Sequence, residues 1–219
     1  MKKLLTCVGL LVALGLTAQT PKIELGIELS TENIEGSGLL KDAGTNFYDR
    51  IVRDRSNFSM GITANLLSNS SSFSFRSGLL YAQKDITSFK ECGFCHTLFN
   101  ALIVPEYRRV EQRYLSVPFL IRYEPKQSRL SPIAEVGLYN HFLVSDGQLN
   151  QNRSAYMEAS FALGASYKLN NTLRAELKYN YRASLSTVYS GEVVRYHYSD
   201  SEPNRLRTNA FQLGFLYSL

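Results

Sequence analysis

Three groups of residues in this chain of 219 have types and spacings that could do chemistry. The most compact is Cys92-Gly93-Phe94-Cys95-His96. It matches the attachment motif for c-type haem, in which both sulfurs carry thioether links and His96 would be an axial ligand. The same pair could instead be a redox or metal-binding dithiol, or a disulfide closing a small ring. An exported chain favours the disulfide, because thiols persist poorly in an oxidising compartment and the mature chain holds no other cysteine. No thioredoxin-like βαβ pattern surrounds the pair, and neither a cofactor nor a metal is expected.

The second group is centred on a histidine, and only His96, His141 and His197 exist. His141 with Ser145 and Asp146 has the residue types of a nucleophile, base and acid. The three are too close in sequence to be a triad assembled across elements, so no catalytic residue is expected. A lipid-modifying enzyme is the alternative. The third group is a scatter of charges on otherwise apolar segments: Glu24, Glu28, Arg76, Arg122, Glu135, Glu158, Arg174, Glu176, Lys178 and Arg182. Their signs balance, which suits a network of ion pairs; a proton or ion path is the rival.

The elements that must position these groups begin with an export signal. Lys2 and Lys3 precede an apolar run from Leu4 to Leu16 that closes on Thr17, Ala18 and Gln19. That is the pattern of a secretory signal peptide cleaved after Ala18 or Gln19, leaving residues 20–219 as the mature domain. The run is shorter than the roughly 20 apolar residues of a membrane-spanning helix. Cys7 lies inside it without the small-residue context of a lipoprotein. Removing Lys2 and Lys3 leaves 22 basic residues against 19 acidic ones, a net charge of +3 with no basic stripe, and no nucleic-acid partner is expected. Trp is absent while there are 14 Tyr and 12 Phe, a surplus of rings with one wet edge that suits a membrane interface.

Alternation with a period of two recurs through the mature chain. It predicts eight strands, at 22–30, 57–66, 72–83, 114–123, 132–142, 156–168, 172–184 and 211–219. Ile23, Leu25, Ile27 and Leu29 oppose Glu24, Gly26 and Glu28 in the first. Phe211, Leu213, Phe215, Tyr217 and Leu219 oppose Gln212 and Gly214 in the last. Short separators at 67–71, 124–131 and 169–171 alternate with long ones at about 31–56, 84–113, 143–155 and 185–208. An even number of strands with this rhythm is the plan of an up-and-down antiparallel transmembrane β-barrel with short periplasmic turns and long extracellular loops, both termini periplasmic. Strands of about ten residues, rising roughly 3.3 Å each and tilted, cover the ~25 Å of an outer-membrane apolar band.

A soluble barrel would show the same alternation with its faces exchanged. Gly26, Gly61, Gly78, Gly137, Gly164 and Gly214 all fall on the polar face. A narrow eight-stranded interior has little room for bulk, whereas a solvated face has no use for glycine. The bulky face therefore points to lipid, and the charged face fills a closed, non-conducting lumen.

The final strand resembles the C-terminal β-signal read by outer-membrane assembly machinery, through Gln212, Gly214, Tyr217 and Leu219. With residues 75–81 (Phe-Arg-Ser-Gly-Leu-Leu-Tyr), 114–123 (Tyr-Leu-Ser-Val-Pro-Phe-Leu-Ile-Arg-Tyr) and 135–139 (Glu-Val-Gly-Leu-Tyr), the mature chain resembles the PorT-like family of small outer-membrane β-barrel proteins of Gram-negative bacteria. The resemblance implies outer-membrane residence and, in some members, secretion-associated roles.

Partners follow from the loops. Arg53, Arg55, Arg108, Arg109, Arg113, Arg153, Arg205 and Arg207 each precede a descending strand. Planar guanidinium forks suit lipopolysaccharide phosphates. Leu98, Phe99, Leu102, Ile103 and Val104 make an apolar patch, and 188–198 could prolong a strand beyond the bilayer. A structural, docking or surface-interaction role for a monomer, with loops that meet a protein partner, is the expected function.

Overall fold

The computed structural model describes residues 22–37, 39–41, 47–52, 57–67, 72–92, 106–125, 129–146, 154–186 and 205–219. Eight strands form the barrel: β1 (Lys22–Ser37), β4 (Asn57–Leu67), β5 (Phe73–Gln83), β8 (Gln112–Tyr123), β9 (Leu130–Asp146), β10 (Ala155–Lys168), β11 (Leu173–Ser184) and β12 (Arg205–Ser218). They close in the order β1-β12-β11-β10-β9-β8-β5-β4, each antiparallel to its neighbours. Closure pairs every edge, which is what a sheet must do where no water can satisfy its backbone. Every predicted strand is present, and most are longer than alternation alone suggested.

Four further strands lie in what reads as loop: β2 (Leu39–Lys41), β3 (Phe47–Val52), β6 (Ile86–Cys92) and β7 (Glu106–Val110), a sheet in the order β2-β3-β6-β7. They are continuations of the barrel wall. Gln83 faces Arg113 and Ile86 faces Val110 in one unbroken register, and Glu32 facing Asn57 runs on to Leu39 facing Arg50. Two hairpins thus carry half the wall beyond the rim. Between them the register slips by two residues, so that Val52 faces Thr87 rather than Phe89. At the rim itself Lys84 and Asp85 leave the strand, and β8 carries an irregularity between Arg113 and Tyr114.

The faces are inverted relative to a water-soluble domain. Ile27, Ile62, Leu177 and Phe211 are 61–64% exposed, whereas Arg76, Arg122, His141 and Glu158 are fully enclosed. An outer belt of this kind is stable only in an apolar medium. The one apolar cluster among the described buried residues is Leu80, Leu120 and Tyr139, inside the lumen.

All six predicted glycines sit on the inner face, and at Gly61, Gly78, Gly137 and Gly164 the nearest obstacle to an added Cβ is a carbonyl of the neighbouring strand rather than a side chain. A Cβ on Gly137 would strike the carbonyl of Phe119 on the neighbouring strand, with the Leu120 Cα at 2.9 Å. The obstacle is the adjoining backbone, brought close by the curvature of the inner wall, and not a side chain from across the barrel. Pro118 is a second wall feature. Proline cannot donate to a ladder, and the β5–β8 pairing accordingly skips Gly78 and Leu79 opposite Pro118 and Val117.

Candidate functional site

The lumen is the part of the molecule where chemistry-bearing residues converge, because each barrel strand turns every second side chain inward. Two ionic clusters are stacked along it. Nearer the turns, Arg76 on β5 reaches Glu28 on β1 at 2.6 Å, Glu176 on β11 at 2.9 Å and Glu135 on β9 at 3.4 Å. Arg122 on β8 holds Glu124 at 2.6 Å, Glu135 at 3.3 Å and Glu176. Lys178 adds Glu135 at 2.9 Å and Glu28 at 3.4 Å. Arg174 closes the cluster, bound to Glu24 and to Glu124 at 2.8 Å. Beyond it a hollow of about 260 Å³ opens at the turn end, with Lys22, Lys168 and Asn170 on its rim.

A neutral belt follows. The Tyr139 hydroxyl accepts from the Asn180 and Gln212 amides, each at 3.4 Å, Ser160 donates to Asn180 at 2.9 Å, and Ser30 meets Ser59 at 2.6 Å. Above it lies the second cluster. Glu158 on β10 accepts from Lys84 at 3.0 Å, with Arg182 at 3.8 Å, and Arg182 pairs with Glu32 at 2.6 Å. His141 on β9 joins Glu158 through Nε2 at 2.9 Å and Ser116 on β8 through Nδ1 at 2.6 Å. Tyr156 stacks on the imidazole with centroids 4.6 Å apart, and the Tyr114 ring stands edge-on to Tyr156 at 5.3 Å. Lys84 lies 5.3 Å over the Tyr156 ring and Arg182 4.9 Å over Tyr139.

All ten charged residues named from the sequence face inward, and each takes an opposite charge within 4 Å. Reading strands too short hid their companions. Glu32, Lys84 and Glu124 continue the inward alternation of Glu28, Ala82 and Arg122 just past where the predicted strands stop. Ser145, close to His141 in sequence, is exposed, and the His141 ring lies between Ser116 and Glu158 on the two flanking strands. Ser116 sits directly opposite His141 in the β8–β9 register, a relation that sequence spacing does not reveal.

Of the other named residues, Gln212 and Gly214 face the lumen while Tyr217 and Leu219 face outward. Arg113 is half-buried and paired with Asp85 at 2.6 Å; Arg207 is exposed. Arg108, Arg109 and Arg205 lie at strand positions, and Cys92 stands opposite Phe47 in the backbone register. Arg53, Arg55, Arg153, Cys95, His96, the patch at 98–104, the stretch 188–198 and the signal segment fall outside the described residues. Among the described residues no group of His, Cys, Asp and Glu could hold a metal ion.

Two solved barrels share this architecture. The outer membrane protein OprG from Pseudomonas aeruginosa superposes with a TM-score of 0.53 at 13% identity, over 91% of this chain and 95% of that one. Neisserial surface protein A superposes with a TM-score of 0.53 at 13% identity, over 90% and 97%. Identities this low carry the fold alone. No curated protein matches the sequence. The family model for the outer membrane protein beta-barrel domain matches residues 4–218, and this chain, an inverted, closed, eight-stranded barrel, belongs to that family of outer-membrane proteins.

Proposed function

We propose that this outer-membrane barrel is a non-conducting scaffold that holds its loop-end sheet out to partners. The observation that carries the reading is the filled lumen: β1, β5, β8, β9, β10 and β11 fill it with ion-paired side chains, and β4 and β12 add buried Asn65, Thr208 and Gln212. A barrel of this strand number has an interior wide enough only for side chains. In a planar bilayer the purified protein stays silent; large, steady openings would overturn the plug.

On this proposal both mature termini lie in the periplasm of a Gram-negative cell and the β2-β3-β6-β7 sheet lies outside, a reading supported by the signal-peptide pattern and the even strand count. A protease added to intact cells then cuts in the loops and spares the turns. Arg53, Arg55, Arg108, Arg109, Arg205 and Arg207 are proposed to meet lipopolysaccharide phosphates, with Arg113 shared between such a phosphate and Asp85. Changing Arg108 and Arg109 to Ser lowers lipopolysaccharide co-purification if so. A disulfide between Cys92 and Cys95 would staple the outer sheet, and the absence of a Soret band would separate it from haem. The narrower role, a PorT-like accessory to a secretion system, rests on the sequence resemblance. It predicts one specific partner cross-linked from the outer sheet.

A further inference from the structure

We infer that Ser116, His141 and Glu158 form a nucleophilic relay able to cleave small carboxylic esters that enter from the loop end. This goes beyond the scaffold role and leaves it intact. The expectation of no catalysis rested on the close sequence spacing of His141, Ser145 and Asp146, and Ser145 is exposed. What the fold supplies instead is one residue from each of three adjacent strands, β8, β9 and β10, with both ring nitrogens engaged at 2.6 and 2.9 Å. A nucleophile within hydrogen-bond reach of a base that a third group orients is the geometry by which such sites are recognised, whatever the fold.

The proton positions follow from the neighbours. The Glu158 carboxylate, fixed through Oε1 by Lys84, can only accept, so His141 carries its hydrogen on Nε2 and leaves Nδ1 to accept from the Ser116 hydroxyl. Ser116 Oγ can then bond to an ester carbonyl carbon as its proton passes to Nδ1. The carbon–oxygen bond to the alcohol breaks, and the departing alcohol takes that proton. Water repeats the sequence on the acyl-serine, releasing the carboxylic acid and restoring the hydroxyl. Ser116 is the nucleophile and His141 the base; Glu158 acts through His141 as a positioning residue.

The three side chains are enclosed, so a substrate must displace part of the wall. That wall is irregular beside them. Ser116 lies two residues from the break between Arg113 and Tyr114, and Lys84, the cap on Glu158, lies where β5 gives way to β6. The turn end is filled by the arginine cluster, so on this proposal the substrate enters from the loop end.

The full mature chain, folded in detergent or in lipid vesicles, is treated with diisopropyl fluorophosphate and digested for mass spectrometry. The expected result is a single adduct on Ser116, with a labelling rate that rises with pH through one inflection. His141→Gln lowers that rate about a hundredfold or more and removes the inflection, the size of effect a general base supplies. Glu158→Gln lowers it while keeping the inflection, and Ser145→Ala labels like the native protein. Folding of each variant is checked by its heat-dependent electrophoretic shift. Failure of the folded native protein to label, an adduct on another residue, or equal labelling of folded His141→Gln overturns the inference.

Discussion

The two halves of the lumen solve the same problem differently. Nearer the turns, Arg76 and Arg122 each hold three carboxylates, Glu28 and Glu176 are each shared between two cations, and Glu135 is shared among three. Every member is cross-linked, so moving one breaks several bonds from different strands. Nearer the loops the charges run in a chain from Glu32 through Arg182 to Glu158 and Lys84, and the remaining space is taken by imidazole, phenol and hydroxyl groups. Guanidinium forks make a rigid plug because their donors are fixed in a plane. A histidine with a serine on one nitrogen and a carboxylate on the other is a group that can hand on a proton. The lesson is that one inward pattern of alternating charge yields a cross-linked arginine cluster at one end and a hydrogen-bonded Ser-His-Glu chain at the other, according to whether arginine or histidine sits at the centre.

The sharpest way to break this comparison is to remove the centre of the arginine cluster. Arg76→Met would leave Glu28, Glu135 and Glu176 with fewer cations in an enclosed space, and breaking a buried pair from one side costs about 3–5 kcal/mol. Urea unfolding in lipid vesicles should show a loss of this size, and planar bilayers should show new cation-selective openings. A smaller effect is expected above the neutral belt. Glu158→Gln leaves Arg182 its bond to Glu32 and keeps an amide oxygen that can still accept from Lys84. A loss of about 1–3 kcal/mol, the cost of a buried group that loses its partner, with no new openings, is the expected outcome. Equal losses for the two variants would mean that the halves are energetically alike.

Between them, Tyr139→Phe tests whether the belt is glue or filler. The Tyr139 hydroxyl takes two long bonds, from Asn180 and Gln212. Their removal should cost about 1 kcal/mol in the same unfolding experiment, with conductance unchanged.

Much of this was legible in the chain because a β-strand has only two faces. Once Ile23 to Leu29 and Phe211 to Leu219 showed their alternation, strand number, sidedness and the inward charges followed. What escaped was of two kinds. Strands β3, β6 and β7 carry mixed residues on both faces, such as Asp49-Arg50-Ile51 and Phe89-Lys90-Glu91, so no period of two marks them; they are held by hydrogen bonding to neighbours that extend the same hairpins. The Ser116–His141–Glu158 relay escaped because register between strands joins residues that sequence spacing keeps apart. Alternation tells which way His141 points but not what it meets.

The reason for glycine on the inner wall gives the smallest and most discriminating test. If glycine were needed because the lumen is narrow, Gly137→Ala and Gly214→Ala would both be costly, since both face the same crowded interior. The structure separates them. At Gly137 the added carbon meets the Phe119 carbonyl and the Leu120 backbone, atoms that cannot swing aside without pulling β8 and β9 apart. At Gly214 the nearest atom is Glu176 Oε2 at 3.6 Å, an ordinary contact. Gly137→Ala should therefore destabilise by about 1–3 kcal/mol, the usual cost of overpacking. Gly214→Ala should lie within about 0.5 kcal/mol of the native protein, as substitutions that meet no strain do. Paired unfolding curves of the two variants would locate the constraint in the wall if they diverge and in the plug if they coincide.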